Sequence, residues 1–155
     1  MACSEDDAAK LTPGTKIKVT GKKTSYKGEV EIYDSTTPAT FEFAGDITYV
    51  AEAKDATAKL GTDDLINYQN QLVTFKDLEV VSVVYRNGEP GDDIYLSVKN
   101  DKGTYEFCVE RYLTAPDTDV YAAVGALNAG DKVDVTGFAY WYDGINTHIT
   151  AVAKK

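Results

Sequence analysis

The chain is 155 residues long, with a formal net charge of −9, 43% apolar and 26% charged residues. That length suits one domain with room for an appendage, and the apolar share is ordinary for a globular chain with a packed core. The acidic excess argues against nucleic acid as a partner, because a phosphate binder must displace counterions with Lys and Arg.

Eleven Tyr against five Phe, one Trp and one Met favour strands over helices. The one basic cluster, Lys16, Lys18, Lys22, Lys23 and Lys27, stands near the N-terminus and reads as the solvated face of a hairpin. The two cysteines, Cys3 and Cys108, form no CxxC pair, metal spacing or disulfide framework. Cys108 lies in the strand pattern Tyr105-Glu106-Phe107-Cys108-Val109-Glu110 and reads as a small buried filler.

No apolar run of about 18 residues is present, so no membrane-spanning helix is expected. The chain opens Met1-Ala2-Cys3-Ser4-Glu5-Asp6-Asp7, a small residue before a Cys and then an acidic run. This resembles the maturation site of bacterial lipoproteins, and Cys-Ser followed by acidic residues is similar to the surface-export signal of Bacteroidota lipoproteins. The resemblance implies a lipid on Cys3 and a surface-exposed place in the bacterial cell envelope, the membrane being reached only through that anchor. The charged and apolar regions of a signal peptide do not precede Cys3. With Met1 as the true start, Cys3 is instead a thiol on a tail and the protein is cytoplasmic. Residues 1–10 are expected to be a disordered tail.

Beyond Leu11-Thr12-Pro13-Gly14, Lys16 to Thr20 alternates with strand period. Gly21 allows a kink, Lys27-Gly28 makes a turn, and Glu29 to Tyr33 alternates again, so a β-hairpin is expected. Thr40 to Phe43 and Ile47 to Val50 are short strand candidates. From Ala51 to Asn70 the pattern is irregular, with a short helix expected over Asp63 to Tyr68 and Thr62 or Asp63 as its N-cap. Leu72 to Tyr85 is too long for one straight strand, and its alternation changes phase near Lys76-Asp77-Leu78, as a bent, bulged strand serving two sheets requires. Ile94, Leu96 and Val98 form the inward face of the next strand. A turn at Asn100 to Gly103 leads to a third strand, with Tyr105, Phe107 and Val109 inward. Val120 to Leu127 reads as a two-turn helix capped from Asp117 to Asp119. Gly130 to Gly137, running into Phe138, and then Asn146 to Val152 supply the last two strands.

Bent strand, strand, strand, helix, strand, strand is the order of the OB-fold, a five-stranded Greek-key barrel with its helix between strands three and four. The class expected is therefore all-β with one short helix, with an N-terminal β-hairpin region at 11–60 and the OB-fold barrel at 61–155. Asn70 to Asp77, the Val120 to Leu127 helix and Gly130-Asp131-Lys132-Val133-Asp134-Val135-Thr136-Gly137 resemble OB-type modules of Bacteroidota surface lipoproteins. That resemblance covers roughly the last ninety residues; it implies a fold and no activity.

Displaced by 116 positions, Leu11 to Gly28 falls on Leu127 to Gly144 with eight identities in eighteen, where chance gives about one. The N-terminal hairpin is thus expected to be a partial OB repeat, equivalent to strands four and five.

Few residues suggest chemistry. His148 is the only His and has no nucleophile or orienting acid near it in sequence, so it reads as structural or exposed. Asp92-Asp93 with Glu89, and Asp117 with Asp119, lack the spacing of a cation cage and read as a turn and a helix cap. No P-loop, GxSxG or HExxH is present. Tyr140-Trp141-Tyr142 is the candidate ligand platform. Tyr140 and Tyr142 share one face of the strand and Trp141 the other, and OB-folds stack bases or sugar rings on such side chains. The expectation is a non-catalytic binding or accessory module without a cofactor or metal, holding a glycan, peptide or protein partner on this platform and the Asn87 to Asp93 loop. The alternative is a single-stranded nucleic-acid binder using the same residues.

Overall fold

The computed structural model describes residues 4–45 and 49–155. The chain divides into two units between Glu52 and Ala53, upstream of the boundary expected at 60/61. The boundary moves because Ala56 and Leu60 are fully buried in the core of the second unit.

In the first unit, the Ser4 hydroxyl accepts from the Asp7 amide and caps one helical turn, α1 (Glu5–Ala8), where a disordered tail was expected. Cys3 lies outside the described residues. The strands are β1 (Ile17–Thr20), β2 (Lys23–Tyr26), β3 (Glu29–Ile32) and β4 (Thr40–Phe43). A tight turn joins β2 to β3, with positive φ at Lys27 (53°) and Gly28 (89°), as a two-residue hairpin requires. β1 takes no part in that hairpin; it pairs antiparallel with β4, from Ile17↔Phe43 to Thr20↔Thr40. Alternation in a four-residue strand marks its faces but says nothing of its partner. Of the second short strand expected here, Asp46 to Thr48 lie outside the described residues, and Tyr49 and Val50 belong to no strand. The basic cluster sits on this exposed surface, with Lys18 paired to Glu42 at 2.8 Å and Lys22 to Asp34 at 3.4 Å.

The second unit begins with β5 (Lys54–Asp55) and two 3-10 turns, Thr57–Lys59 and Asp63–Tyr68, the latter at the place expected for a helix. Thr62 precedes it, but its hydroxyl donates back to the Lys59 carbonyl (2.8 Å) and caps nothing. Then come β6 (Leu72–Tyr85), β7 (Ile94–Lys99), β8 (Thr104–Val109), α2 (Asp119–Gly125), β9 (Lys132–Phe138) and β10 (His148–Lys154). The strands run in the order β6-β7-β8-β10-β9, and β9 pairs again with β6, so the sheet closes on itself.

Closure depends on β6, whose first half pairs with β9 and whose second half pairs with β7. The β9 register slips between Phe75 and Leu78, at Asp77, which has φ 57°. Buried positions change parity there, from Val73 and Phe75 to Leu78 and Val80, so both halves point apolar side chains inward. The Asp77 amide, turned out of the ladder, donates to Asp134 on β9 (2.8 Å), and this bond is the leading reason that the Asp134 carboxyl lies below its ordinary value.

Ile94, Leu96 and Val98 of β7, Phe107 and Val109 of β8 and Val133 and Val135 of β9 are fully buried. The Phe75 and Phe107 rings stack across the barrel at 5.4 Å. Tyr105, expected inward with Phe107, is only partly buried against this core. The α2 helix packs Tyr121 and Val124 into the same core. Its N-cap is Thr118, whose hydroxyl accepts from the Tyr121 amide. No helix among the described residues is long and apolar enough to cross a membrane.

Near the end of β9, Gly137 lies where β10 crosses closest. A Cβ there would collide with the His148 carbonyl oxygen and lie 2.7 Å from the Thr147 methyl. Gly137→Ala is therefore expected to lower the stability of this unit by about 1–3 kcal/mol, the range for overpacking, read from urea unfolding. A variant as stable as the parent would show that β10 can give way.

Candidate functional site

One face of the barrel is built from three strands in register. Tyr95 of β7 pairs with Cys108 of β8, and Cys108 pairs with His148 of β10 through the parallel β8–β10 contact. Phe107 and Val109 point into the core, so Glu106, Cys108 and Glu110 lie on the opposite face. The result is a floor of Tyr95, Cys108 and His148 flanked by two carboxylates. With the two loops that border it, this floor forms an open hollow of about 330 Å³.

The loop after β6 supplies Asp93, only 5% exposed. Its carboxylate accepts from the Arg86 guanidinium at 3.1 Å and from the Arg111 amide at 3.0 Å, so the buried charge is compensated. The same loop is tied to α2: the Tyr121 hydroxyl donates to the Asp92 carbonyl (2.6 Å) and accepts from the Gly91 amide (2.8 Å). Asn87 donates to the Asp92 carboxylate. The acidic residues of this loop hold the loop itself, while Asp119 lies in the first turn of α2.

The segment between β9 and β10 supplies Tyr140, Tyr142 and Asn146. The Tyr140 ring stacks on the His148 imidazole, centroids 4.4 Å apart and planes at 26°. The His148 Nε2 lies 3.7 Å from a Glu110 carboxylate oxygen. Alternation predicts that Tyr140 and Tyr142 share a face without Trp141, and the three side chains are so arranged. Trp141 packs against the core and lines a separate hollow with Leu65, Ile66, Tyr105 and Ile145. Of the three aromatics expected to form a platform, Tyr140 and Tyr142 border this hollow and Trp141 packs on the core.

Sequence reasoning did not place Tyr95, Glu106, Cys108, Glu110 or His148 in a site. Tyr95 reaches Cys108 through the β7–β8 hairpin, and His148 joins them because β8 and β10 run parallel, a pairing between strands far apart in sequence. The available signal was the strand order itself, which sets the middle of the third strand beside the start of the fifth.

The hollow is electrostatically negative. Burial first, and then Asp93, Glu110 and Glu106, push the Cys108 thiol up to about 12 against the opposing Arg86. The Tyr95 phenol is also raised, by burial first and then by Cys108, with Asp93 and Glu106 adding to the shift against Arg86. A thiol in that state is a poor nucleophile despite its His neighbour. Iodoacetamide at pH 8 should therefore leave Cys108 unmodified in the folded protein and alkylate it in urea, as read by peptide mapping. Rapid alkylation of native Cys108 would show that the hollow does not suppress the thiolate.

No family model matches the chain, and no curated protein matches it. Among solved structures it is similar to asparaginyl-tRNA synthetase from Pyrococcus horikoshii, both in the structure so titled and in that of its complex with asparaginyl-adenylate. Each shows 14% identity and a TM-score of 0.45, over 57% of this chain and 20% of the synthetase chain. The likeness spans a fifth of the synthetase and decides nothing about activity.

Proposed function

We propose that residues 53–155 are an OB-fold Greek-key barrel acting as a non-catalytic binding module, with the hollow over β7, β8 and β10 as its ligand site. The strand order, the β6–β9 closure and a helix between the third and fourth strands support the fold. The observation that carries the function is convergence: Tyr140 and Tyr142 from one loop and Asp93 from another border a single hollow. Such a concave site with stacking rings and a few polar groups suits a glycan, a peptide or a segment of a partner protein. Single-stranded nucleic acid would use the same rings, but the Glu106 and Glu110 carboxylates would face its phosphates.

Amide NMR titration of the full chain with soluble oligosaccharides, peptides and an oligothymidylate tests the site. Binding should perturb Tyr95, Tyr140, Asn146 and His148, and Tyr140→Ala should weaken it about tenfold, the effect of roughly 1.4 kcal/mol of lost contact. Salt-sensitive oligothymidylate binding at these residues would favour the nucleic-acid reading.

The second part of the proposal is a lipid anchor on Cys3 at a bacterial cell envelope, supported by the Ala2-Cys3-Ser4 sequence and the acidic run after it. A tagged fatty acid fed to cells expressing the gene with its natural upstream sequence should label the protein, and Cys3→Ala should abolish the label. Equal labelling of both would place any lipid elsewhere. We also read residues 11–28 as a partial copy of residues 127–144. Gly14 and Gly130 share φ 91°, and Lys27 and Asp143 have φ 53° and 56°. The Thr12 amide donates to the Thr15 side chain (3.2 Å) as the Asn128 amide does to Asp131 (2.9 Å).

A further inference from the structure

We propose that the open edge of β1 takes an extended strand of a partner polypeptide, one that alternates apolar and hydroxyl side chains and carries an acid farther along. This rests on reading residues 11–28 as a copy of residues 127–144, and it names what fills the place beside that copy.

The strand register agrees with the copy. In β1 and β4 the pairs are Ile17↔Phe43, Lys18↔Glu42, Val19↔Phe41 and Thr20↔Thr40. Adding 116 to the first member and 111 to the second gives Val133↔Lys154, Asp134↔Ala153, Val135↔Val152 and Thr136↔Ala151, which is how β9 pairs with β10. The flanking bond repeats as well. The Ala44 amide donates to the Lys16 carbonyl and the Lys155 amide to the Lys132 carbonyl, each at 2.9 Å. β1 and β4 thus stand to each other as β9 and β10 do.

The third strand of that set is missing. β9 has β6 on its other side, while among the described residues β1 pairs with β4 alone. Because the Lys16 carbonyl turns to β4, alternation in the antiparallel ladder sends the amides and carbonyls of Ile17 and Val19 outward. The side chains show the same gap: Val19 is 38% exposed, whereas Val135, its counterpart, is fully buried. An edge with outward donors and acceptors beside exposed apolar side chains is a template for strand addition.

The complete set also defines what fits. Along β6, Val73 lies opposite Gly137, Thr74 opposite Thr136 and Phe75 opposite Val135. Their places here are opposite Gly21, Thr20 and Val19, so the seat calls for apolar, hydroxyl and apolar side chains in turn. The Thr74 and Thr136 hydroxyls bond at 2.7 Å, and Thr20 can repeat that bond. Farther along, Glu79 of β6 pairs with Lys132 at 3.1 Å. Lys16 is the counterpart of Lys132, and among the described residues its ammonium has no ion pair, so an acid across the edge would complete it. A second copy of β1 is a poor occupant, because antiparallel self-pairing would set Lys16 and Lys18 of both chains on one face.

Hydrogen exchange of the full chain is measured first. The Lys18 and Thr20 amides, bonded to β4, should exchange slowly and those of Ile17 and Val19 fast; the reverse pattern overturns the copy and the strand site together. Amide NMR then follows titration with an acetylated, amidated peptide of residues 71–79, Gln-Leu-Val-Thr-Phe-Lys-Asp-Leu-Glu, and with its Glu79→Lys form. The parent peptide should shift Ile17, Val19 and Gly21 and slow exchange at Ile17 and Val19. Lys16→Glu should weaken it about threefold, the worth of an exposed ion pair, and the Glu79→Lys peptide should recover the loss. Val19→Pro, which removes an outward amide, should abolish binding; should that variant unfold, the charge swap at Lys16 decides. Equal binding of both peptides to the parent chain overturns the acidic chemistry of the partner. Self-association that moves the same amides as protein concentration rises gives the edge to a second copy and overturns the partner. Neither peptide moving these amides, in a chain with the expected exchange pattern, overturns the strand site and leaves the copy standing.

Discussion

The barrel exists because one strand is bent. β6 must lie beside β9 at one end and beside β7 at the other, and a straight fourteen-residue strand could do only one of these. The bend falls at Asp77, the residue with positive φ, and Asp134 stabilises it by accepting the amide that the bend withdraws from the ladder. Two residues on, Glu79 pairs with Lys99 of β7 at 2.8 Å and with Lys132 of β9 at 3.1 Å, marking the point where β6 passes from one partner to the other. These ion pairs are exposed and contribute little energy. The parity change that keeps Phe75 and Leu78 both inside contributes far more, since each buried side chain of that size is worth about 1.5–3 kcal/mol.

The face that carries Tyr95, Cys108 and His148 follows from that closure. Once β9 is fixed against β6, the antiparallel hairpin sets β10 on its far side, and only the β8 edge remains to meet it. The parallel contact that results is short, a single register pair between His148 and Cys108, but it forms the floor of the hollow. The α2 helix belongs to the same construction. Tyr121 fills the core with its ring and holds the Asp92 and Gly91 backbone with its hydroxyl, so the helix that plugs the barrel also sets the loop that carries Asp93.

Strand positions in the second unit were legible because each strand alternates over six residues or more against a single core, and the phase change at Lys76-Asp77-Leu78 announced the bend. In the first unit the Lys27-Gly28 turn and the strand after it were equally legible. The partner of β1 was not, because alternation marks the faces of a strand and not the strand it pairs with, here β4. In the site, the split of Tyr140 and Tyr142 from Trp141 was readable from period two. The role of His148 was not, because a lone His in an alternating strand has no neighbours until the fold supplies Cys108, Glu110 and Tyr140. Cys108 was read as a buried filler and is buried; what the sequence could not convey is that Asp93, Glu106 and Glu110 gather around it.

The single Trp of the chain has a consequence beyond packing. Trp141 rests on the core of the 53–155 unit and lines a hollow other than the tyrosine-lined one. Its fluorescence is therefore a witness of the barrel. Residues 1–52 contain no indole, so an unfolding transition seen by backbone circular dichroism but silent in Trp emission belongs to them. The arrangement gives each unit its own optical channel without a label.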